Sequence, residues 1–384
     1  MTSIVNIPTN ENEGLEGRNE MPERKSNDIR AWLNSGVDSA LCGEYEKAIT
    51  CFDKVIGIDP KNFDAWYYKG IALNLLGEFE EAMKCFDEAT RIDSKDVRTW
   101  NDRGIALKYL KKYEEALKCF DEALKIDRGF VKAWNNKGIT LGTLGKFKEA
   151  IECFDEVIKI DSTIAQAWHN KGDALEHSKK YEEAVKCFDE ALKIDRTLAA
   201  SWYGKGIALD NLGNYSEAVK CYEEATQIDP NFAGAWLNKG NTLKALRKYK
   251  EAVSCYDEVI KIDPASVEAW INKGIILLSR LGKYEEAVKC YDEAAKIDPD
   301  FAEEQFRKTF ESSVPKESRR GRRMTRGIYP DEVKRNVLKK LQQGDSPGKL
   351  AEELGCHKST IYRWKKEADN RMFLWLVGLR DSPW

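Results

Sequence analysis

The sequence predicts an all-α chain: a long row of repeated helix pairs, then a small helical module of different composition. Three observations predict it. Trp recurs at 32, 66, 100, 134, 168, 202, 236 and 270, always 34 residues apart, the signature of stacked structural units. Apolar residues inside each unit follow helical rather than alternating spacing. The charge also changes sign along the chain. Residues 315–384 hold 17 Lys/Arg against 9 Asp/Glu, a net of +8, while residues 1–314 hold 45 against 56, a net of −11.

Of the 384 residues, 33% are charged and 42% hydrophobic, which suits a soluble, helix-rich protein. No stretch approaches the roughly 18 apolar residues that a membrane span needs. The opening residues, MTSIVNIPTNENEGLEGRNEMPERKSND, hold no apolar core for a signal peptide, so the expected location is the cytoplasm. Residues 1–28 read as a disordered polar leader, and the repeats are expected over 29–311.

Each repeat divides into two helices. In AWYYKGIALNLLG, Trp66, Gly70 and Leu73 share one helical face; in EFEEAMKCFDEATRIDP, Ala82, Cys85, Phe86 and Ala89 share another. Small Gly and Ala columns let the helices approach closely, and Trp and Phe fill the space beside them. Between the two helices stands Gly43, Gly77, Gly145, Gly213 or Gly282, suited to the left-handed residue that ends a helix. Three copies place Lys111, Lys179 or Arg247 there instead, at some conformational cost. The second helix stops at Asp-Pro or a variant, as at Asp59-Pro60. The last copy carries one extra residue, in LLSRLGKY.

These Trp, Gly, Ala, aromatic and Pro positions, in register at a 34-residue period, resemble the tetratricopeptide repeat (TPR) over residues 29–301. The chain departs from that pattern at the Leu before each Gly, which is here mostly Lys: Lys69, Lys137, Lys171, Lys205, Lys239 and Lys273. The resemblance implies a right-handed α-solenoid of eight TPR helix pairs whose first helices line a concave groove. Such solenoids bind peptides or partner proteins. A polar helix in FAEEQFRKTFESS is expected to cap the array.

No constellation points to chemistry. Eight of the ten cysteines (Cys51, Cys85, Cys119, Cys153, Cys187, Cys221, Cys255 and Cys290) fill one column, a repeat apart from one another. They read as small core fillers rather than disulfide partners or zinc ligands. His169 and His177 lack a third ligand. The expectation is a non-enzymatic protein with no cofactor, no metal and no catalytic residues.

For the groove, Asn34, Asn136, Asn170, Asn238 and Asn272 recur two residues after Trp, and Tyr67 and Tyr203 stand in the neighbouring column. An Asn offers a donor and an acceptor, so such a ladder can hold the backbone amides of an extended peptide. The competing reading is that Asn there merely suits the fold.

The basic end begins with KESRRGRRMTRG, where Arg319, Arg320, Arg322, Arg323 and Arg326 form an arm within a linker at 312–328. Three short helices follow over 329–370. Val333, Val337, Leu338 and Leu341 give the first an apolar face. Ser346 and Pro347 suit the start of the second, and Gly355 allows a sharp turn. The third begins near Lys358 and buries Ile361 and Trp364. With Ala351 and Gly355, the run Ser359-Thr360-Ile361-Tyr362-Arg363-Trp364 resembles the helix-turn-helix domains of transposases and resolvases. That resemblance implies a recognition helix in the DNA major groove, with Lys358 and Ser359 at base edges. Arg363 and Lys366 would hold phosphates, assisted by Thr360 and Tyr362. The Arg arm would follow the minor groove or add sequence-independent attraction. No room remains after residue 367 for a recombinase's catalytic domain. The apolar tail 371–384, containing MFLWLVGL, is too short to span a membrane; it either pairs two copies as a homodimer or folds back onto the array. The expected function is an adaptor that holds a protein or peptide in its groove and DNA through its tail, in transcription regulation. The alternative is a pure protein–protein interaction scaffold.

Overall fold

The computed structural model describes residues 23–298, together with 301 and 346. Every element among the described residues is an α-helix, and the helices come in eight pairs: α1 (Glu23–Leu41) and α2 (Tyr45–Ile58), α3 (Phe63–Leu76) and α4 (Phe79–Ile92), α5 (Val97–Tyr109) and α6 (Tyr113–Ile126), α7 (Val131–Thr143) and α8 (Phe147–Ile160), α9 (Ala165–His177) and α10 (Tyr181–Ile194), α11 (Ala199–Asn211) and α12 (Tyr215–Ile228), α13 (Ala233–Ala245) and α14 (Tyr249–Ile262), and α15 (Val267–Ser279) and α16 (Tyr284–Ile297). The first helix starts at Glu23 rather than near 29, because ERKSND contains no helix breaker and continues the helical run. The expected capping helix and most of the basic end lie outside the described residues.

The chain divides into two compact units, Met1–Asn170 and Lys171–Trp384. In the first, helices α1 to α8 pack in succession, and α1, α3, α5 and α7 also touch one another in turn. In the second, α10 to α16 pack in succession, with α11 touching α13 and α13 touching α15. Each unit is therefore two-layered, and its odd helices form the more closely packed layer.

The sequence explains each boundary. Gly77 ends α3 at φ +84°, and the next amide, Glu78 N–H, donates back to the Leu73 carbonyl at 2.9 Å. This closure satisfies the carbonyls that a helix end leaves open. Lys111, Lys179 and Arg247 adopt the same left-handed geometry at φ 59°, 61° and 61°, a region costly for residues with a Cβ. Each even helix ends at an Asp. Asp59, Asp93, Asp127, Asp161, Asp195, Asp229 and Asp263 accept a backbone N–H two residues on, at 2.8–3.1 Å. That local bond competes with continuing the helix and turns the chain toward the next one. The extra residue of the last copy is absorbed in a longer loop, where Lys283 N–H reaches the Leu277 carbonyl at 2.9 Å.

The core repeats as the sequence does. Ala82, Cys85, Phe86 and Ala89 are buried on α4, and their counterparts are buried on the other even helices. A Cβ added to Gly104 would lie 2.5 Å from Phe120 Cε1, so the glycine column is what lets the aromatic lie flat against the odd helix. Each described Trp from Trp66 to Trp270 donates its indole N–H to the carbonyl six residues earlier, at 2.9–3.0 Å. This fastens each odd helix to the turn that precedes it. Trp thus serves the fold with both its ring and its one donor.

Candidate functional site

The Lys that replaces Leu before each Gly faces the preceding even helix. Lys69 Nζ lies 2.6 Å from Asp53 and 5.8 Å from the centre of the Trp66 ring. Lys137, Lys205 and Lys273 repeat the pairing with Asp121, Asp189 and Asp257 at 2.5–2.6 Å, and Arg103 pairs with Asp87 at 2.8 Å. The column therefore links consecutive repeats and plays no part on the opposite face. The cysteine column behind it is buried, and burial pushes Cys85, Cys153, Cys221, Cys255 and Cys290 up to about 11. These groups stay protonated thiols and are poor nucleophiles.

On the odd helices, the predicted ladder is largely joined to itself. In the first unit, Asn136 Nδ2 donates to Asn101 Oδ1 at 3.0 Å, and Asn101 Nδ2 donates to Asp102 Oδ1 at 2.9 Å. Tyr67 OH donates to the other oxygen of Asp102, also at 2.9 Å. Asn170 Nδ2 donates to Asn135 Oδ1 at 3.0 Å, and Asn170 Oδ1 accepts from Gln166 at 2.8 Å. In the second unit, Asn238 Nδ2 donates to Tyr203 OH at 3.1 Å, and Asn272 Oδ1 accepts from Lys244 Nζ at 2.8 Å. Asn34, on the first helix, is exposed. Asn136, Asn170 and Asn238 thus each direct a donor at the preceding helix pair, which leaves them fewer groups for a ligand.

Asn101, Asn135 and Asp102 complete these joints; they stand in the same two sequence columns as the ladder, with Asp102 in place of one Asn, but outside the set expected to hold a peptide. The signal was present: the bonded residues are 35 apart, one repeat plus one. Enclosure of the Asp102 carboxyl pushes it up to about 6, against the opposing effect of its two hydrogen bonds. Burial also raises the Tyr67 phenol. On the same helix as Asp102, Lys108 is held below the usual lysine range by loss of hydration. What the odd-helix faces offer a ligand is therefore amide, phenol and aliphatic surface with scattered charge, typical of recognition rather than of catalysis. Among the described residues, no group of three His, Cys, Asp or Glu is placed to hold a metal, and no helix is long and apolar enough to cross a membrane. His177 is exposed, with Nδ1 2.9 Å from the Asp173 carbonyl oxygen and 3.3 Å from Glu176.

The expected DNA contacts Lys358, Ser359, Thr360, Tyr362, Arg363 and Lys366 lie outside the described residues, as do Arg319, Arg320, Arg322, Arg323 and Arg326. So does the apolar tail. Ser346 is exposed and non-helical.

Comparison with known proteins fits this architecture. Family models described as tetratricopeptide repeat match residues 63–96, 97–130, 131–163, 165–198 and 199–232, and also 237–300. One described as TPR repeat matches 40–77. A model described as homeodomain-like domain matches 330–370. No curated protein matches the chain. Among solved structures, the C-terminal part of a TPR repeat-containing protein from Cytophaga hutchinsonii is 14% identical with a TM-score of 0.53, over 64% of this chain and 98% of that one. The Cut9–Hcn1 hetero-tetramer of the APC/C is 16% identical with a TM-score of 0.50, over 69% and 52%. Pseudomonas aeruginosa pilF is 20% identical with a TM-score of 0.49, over 56% and 97%. At these identities the likeness is one of fold.

Proposed function

We propose, for a chain that belongs to the tetratricopeptide-repeat family and ends in a homeodomain-like segment, the function of a non-enzymatic cytoplasmic adaptor in transcription regulation. The repeats hold a protein or extended peptide against the odd-helix faces, and residues 329–370 hold DNA. The single observation that carries this reading is the joining of the two families in one chain, with opposite net charges of −11 and +8 on the two parts. A helix-turn-helix needs a cationic face for the phosphate backbone, whereas the acidic repeats would repel a polyanion. Lys358 and Ser359 read base edges, and Arg363 and Lys366 hold phosphates, with Thr360 and Tyr362 beside them. The Arg arm supplies the salt-dependent share of binding. Odd-helix groups not spent on neighbouring repeats, Asn34 among them, remain for the peptide.

A gel-shift series with the full chain and duplex DNA tests the reading. Binding is expected to weaken steeply with salt and to fall by about tenfold or more in K358A/R363A, each base contact contributing roughly 1–3 kcal/mol. No shift at low salt would leave a pure interaction scaffold.

A further inference from the structure

Each unit also carries a cleft between an even helix and the Trp of the next odd helix. In the first unit it is lined by Lys118, Glu122, Lys125, Arg128 and Trp134, with a volume of about 390 Å³. In the second it is lined by Lys186, Glu190, Lys193, Arg196 and Trp202, with a volume of about 670 Å³. Every residue that lines the second cleft has its counterpart two repeats earlier in the first, which Lys137 lines as well; both linings also hold a carboxylate, Asp121 or Asp189, paired with Lys137 or Lys205. In both, Arg occupies the turn position that is Pro60, Ser94, Ser162, Pro230 or Pro264 in other copies.

We propose that these two clefts are equivalent docking sites for an acidic peptide segment bearing an apolar side chain beside its carboxylates. The charges within the clefts support this occupant. Lys125 pairs with Glu122 and Lys193 with Glu190, both at 2.6 Å, and Lys137 pairs with Asp121 at 2.6 Å. Among the described residues, Lys118 and Arg128 in the first cleft, and Lys186 and Arg196 in the second, have no carboxylate at ion-pair distance. Each cleft therefore presents two uncompensated cations to a carboxylate. The Trp between them has no donor to offer, because Trp134 and Trp202 give their N–H to the Arg128 and Arg196 carbonyls at 2.9 and 3.0 Å. What remains of the indole is an apolar wall, and Leu124 and Leu192 add to the apolar lining. Two cations beside a partly exposed aromatic face match a carboxylate and an aliphatic or aromatic side chain from one short segment. A continuous phosphate backbone fits less well, since it would have to run along an acidic array.

The test uses the full chain and a fluorescein-labelled peptide of repeating Glu-Glu-Leu. Anisotropy gives the affinity at low salt, and calorimetry gives the stoichiometry. The Arg-rich arm also attracts acidic chains, so the readout is the difference between variants of the full chain. R128E is expected to remove one equivalent of bound peptide and R128E/R196E two, and K118E/K186E to weaken cleft binding about tenfold. A Glu-Glu-Ser peptide of equal charge is expected to bind the clefts about tenfold more weakly. The substitutions leave the Trp–carbonyl bonds in place, and unchanged circular dichroism checks this. Full stoichiometry in R128E/R196E, or equal affinity for the Ser peptide, overturns the proposal. So does competition by duplex DNA that R128E/R196E abolishes, which would assign the clefts to phosphates.

Discussion

Between the helix pairs of the first unit runs a line of polar groups, Tyr67 to Asp102 to Asn101 to Asn136, and again Asn135 to Asn170. In the second unit the same column turns aliphatic at Leu237 and buried Ile271, and polar joints run from Asn238 to Tyr203, from Thr242 to Asp210 and from Lys244 to Asn272. The even helices change in the opposite sense. Their packing aromatic is Phe at 52, 86, 120, 154 and 188, then Tyr at 222, 256 and 291. The repeat tolerates either chemistry provided volume is conserved. A buried polar atom without a local partner costs it stability. The second unit thus adds hydroxyls in the even layer, at Tyr222, Tyr256 and Tyr291, and substitutions can separate the two demands.

The largest effect is expected where buried charge and pH meet. Asp102 occupies the column that holds Asn in most other copies, and burial raises its carboxyl to about 6 from an ordinary 3.8. The sign follows from linkage. The folded state holds this proton more tightly than the unfolded chain, so the contribution is fully present below about pH 4 and is lost as pH rises through about 6. Across that interval the native chain should lose about 3 kcal/mol relative to Asp102→Asn, since each tenfold difference in proton affinity between the two states is worth about 1.4 kcal/mol. Chemical denaturation at pH 4 and pH 7 measures it. Parallel curves for the two proteins would mean that the carboxylate is compensated in the fold.

A second contrast is one of geometry alone. At Gly104 an added Cβ would meet Phe120 at 2.5 Å, while at Gly274, in the last pair, the nearest Tyr291 ring atom is 3.1 Å away. Overpacking a tight helix contact costs about 1–3 kcal/mol, and Ala returns up to about 1 kcal/mol of helix propensity. Gly104→Ala should therefore destabilise by roughly 2 kcal/mol in urea titration, and Gly274→Ala by little. Equal losses would show that the longer loop before α16 does not relax the last pair.

How much of this was legible in the sequence depends on whether a residue acts within its own repeat or across two. The helix pairs, the Gly–aromatic contact and the left-handed Lys111 are local, and the 34-residue period exposes them. Joints between repeats need the register of one odd helix against the next. Asn136 reads as a peptide ligand in the sequence, but its Nδ2 donates to Asn101. The Lys69 column likewise reads as a departure from the family pattern, and only the fold brings Asp53 to within 2.6 Å of it. Charge composition and the Ser359–Trp364 run mark the basic end as different.

The aromatic change offers a third contrast, with opposite signs at two equivalent positions. Tyr256 OH donates to Asn241 Oδ1 at 2.7 Å. The Tyr222 hydroxyl is buried with no hydrogen-bond partner among the described residues, because its own repeat carries Ile207 where the next carries Asn241. A buried unsatisfied hydroxyl costs about 1–3 kcal/mol, whereas a satisfied one contributes about 1 kcal/mol. Tyr222→Phe should raise stability by about 1 kcal/mol and Tyr256→Phe lower it by a similar amount. If both substitutions shift the urea midpoint in the same direction, ring packing rather than the hydroxyl governs this column.

The smallest effect tests the turns, which both units share. Lys111 and Arg247 sit at φ 59° and 61°, and Gly77 and Gly213 fill the same place at φ 84° and 80°. A left-handed residue with a Cβ costs about 1–2 kcal/mol, while Gly loses about 0.5–1 kcal/mol more chain entropy on folding. Lys111→Gly and Arg247→Gly should each stabilise by a net of about 0.5 kcal/mol, with no change in the urea m-value. The two gains should be equal, because the Schellman closure beneath is the same: Lys112 N–H to Leu107 and Lys248 N–H to Leu243, both at 2.9 Å. A gain confined to one position would show that Lys111 or Arg247 holds a contact in its own unit that offsets its backbone strain.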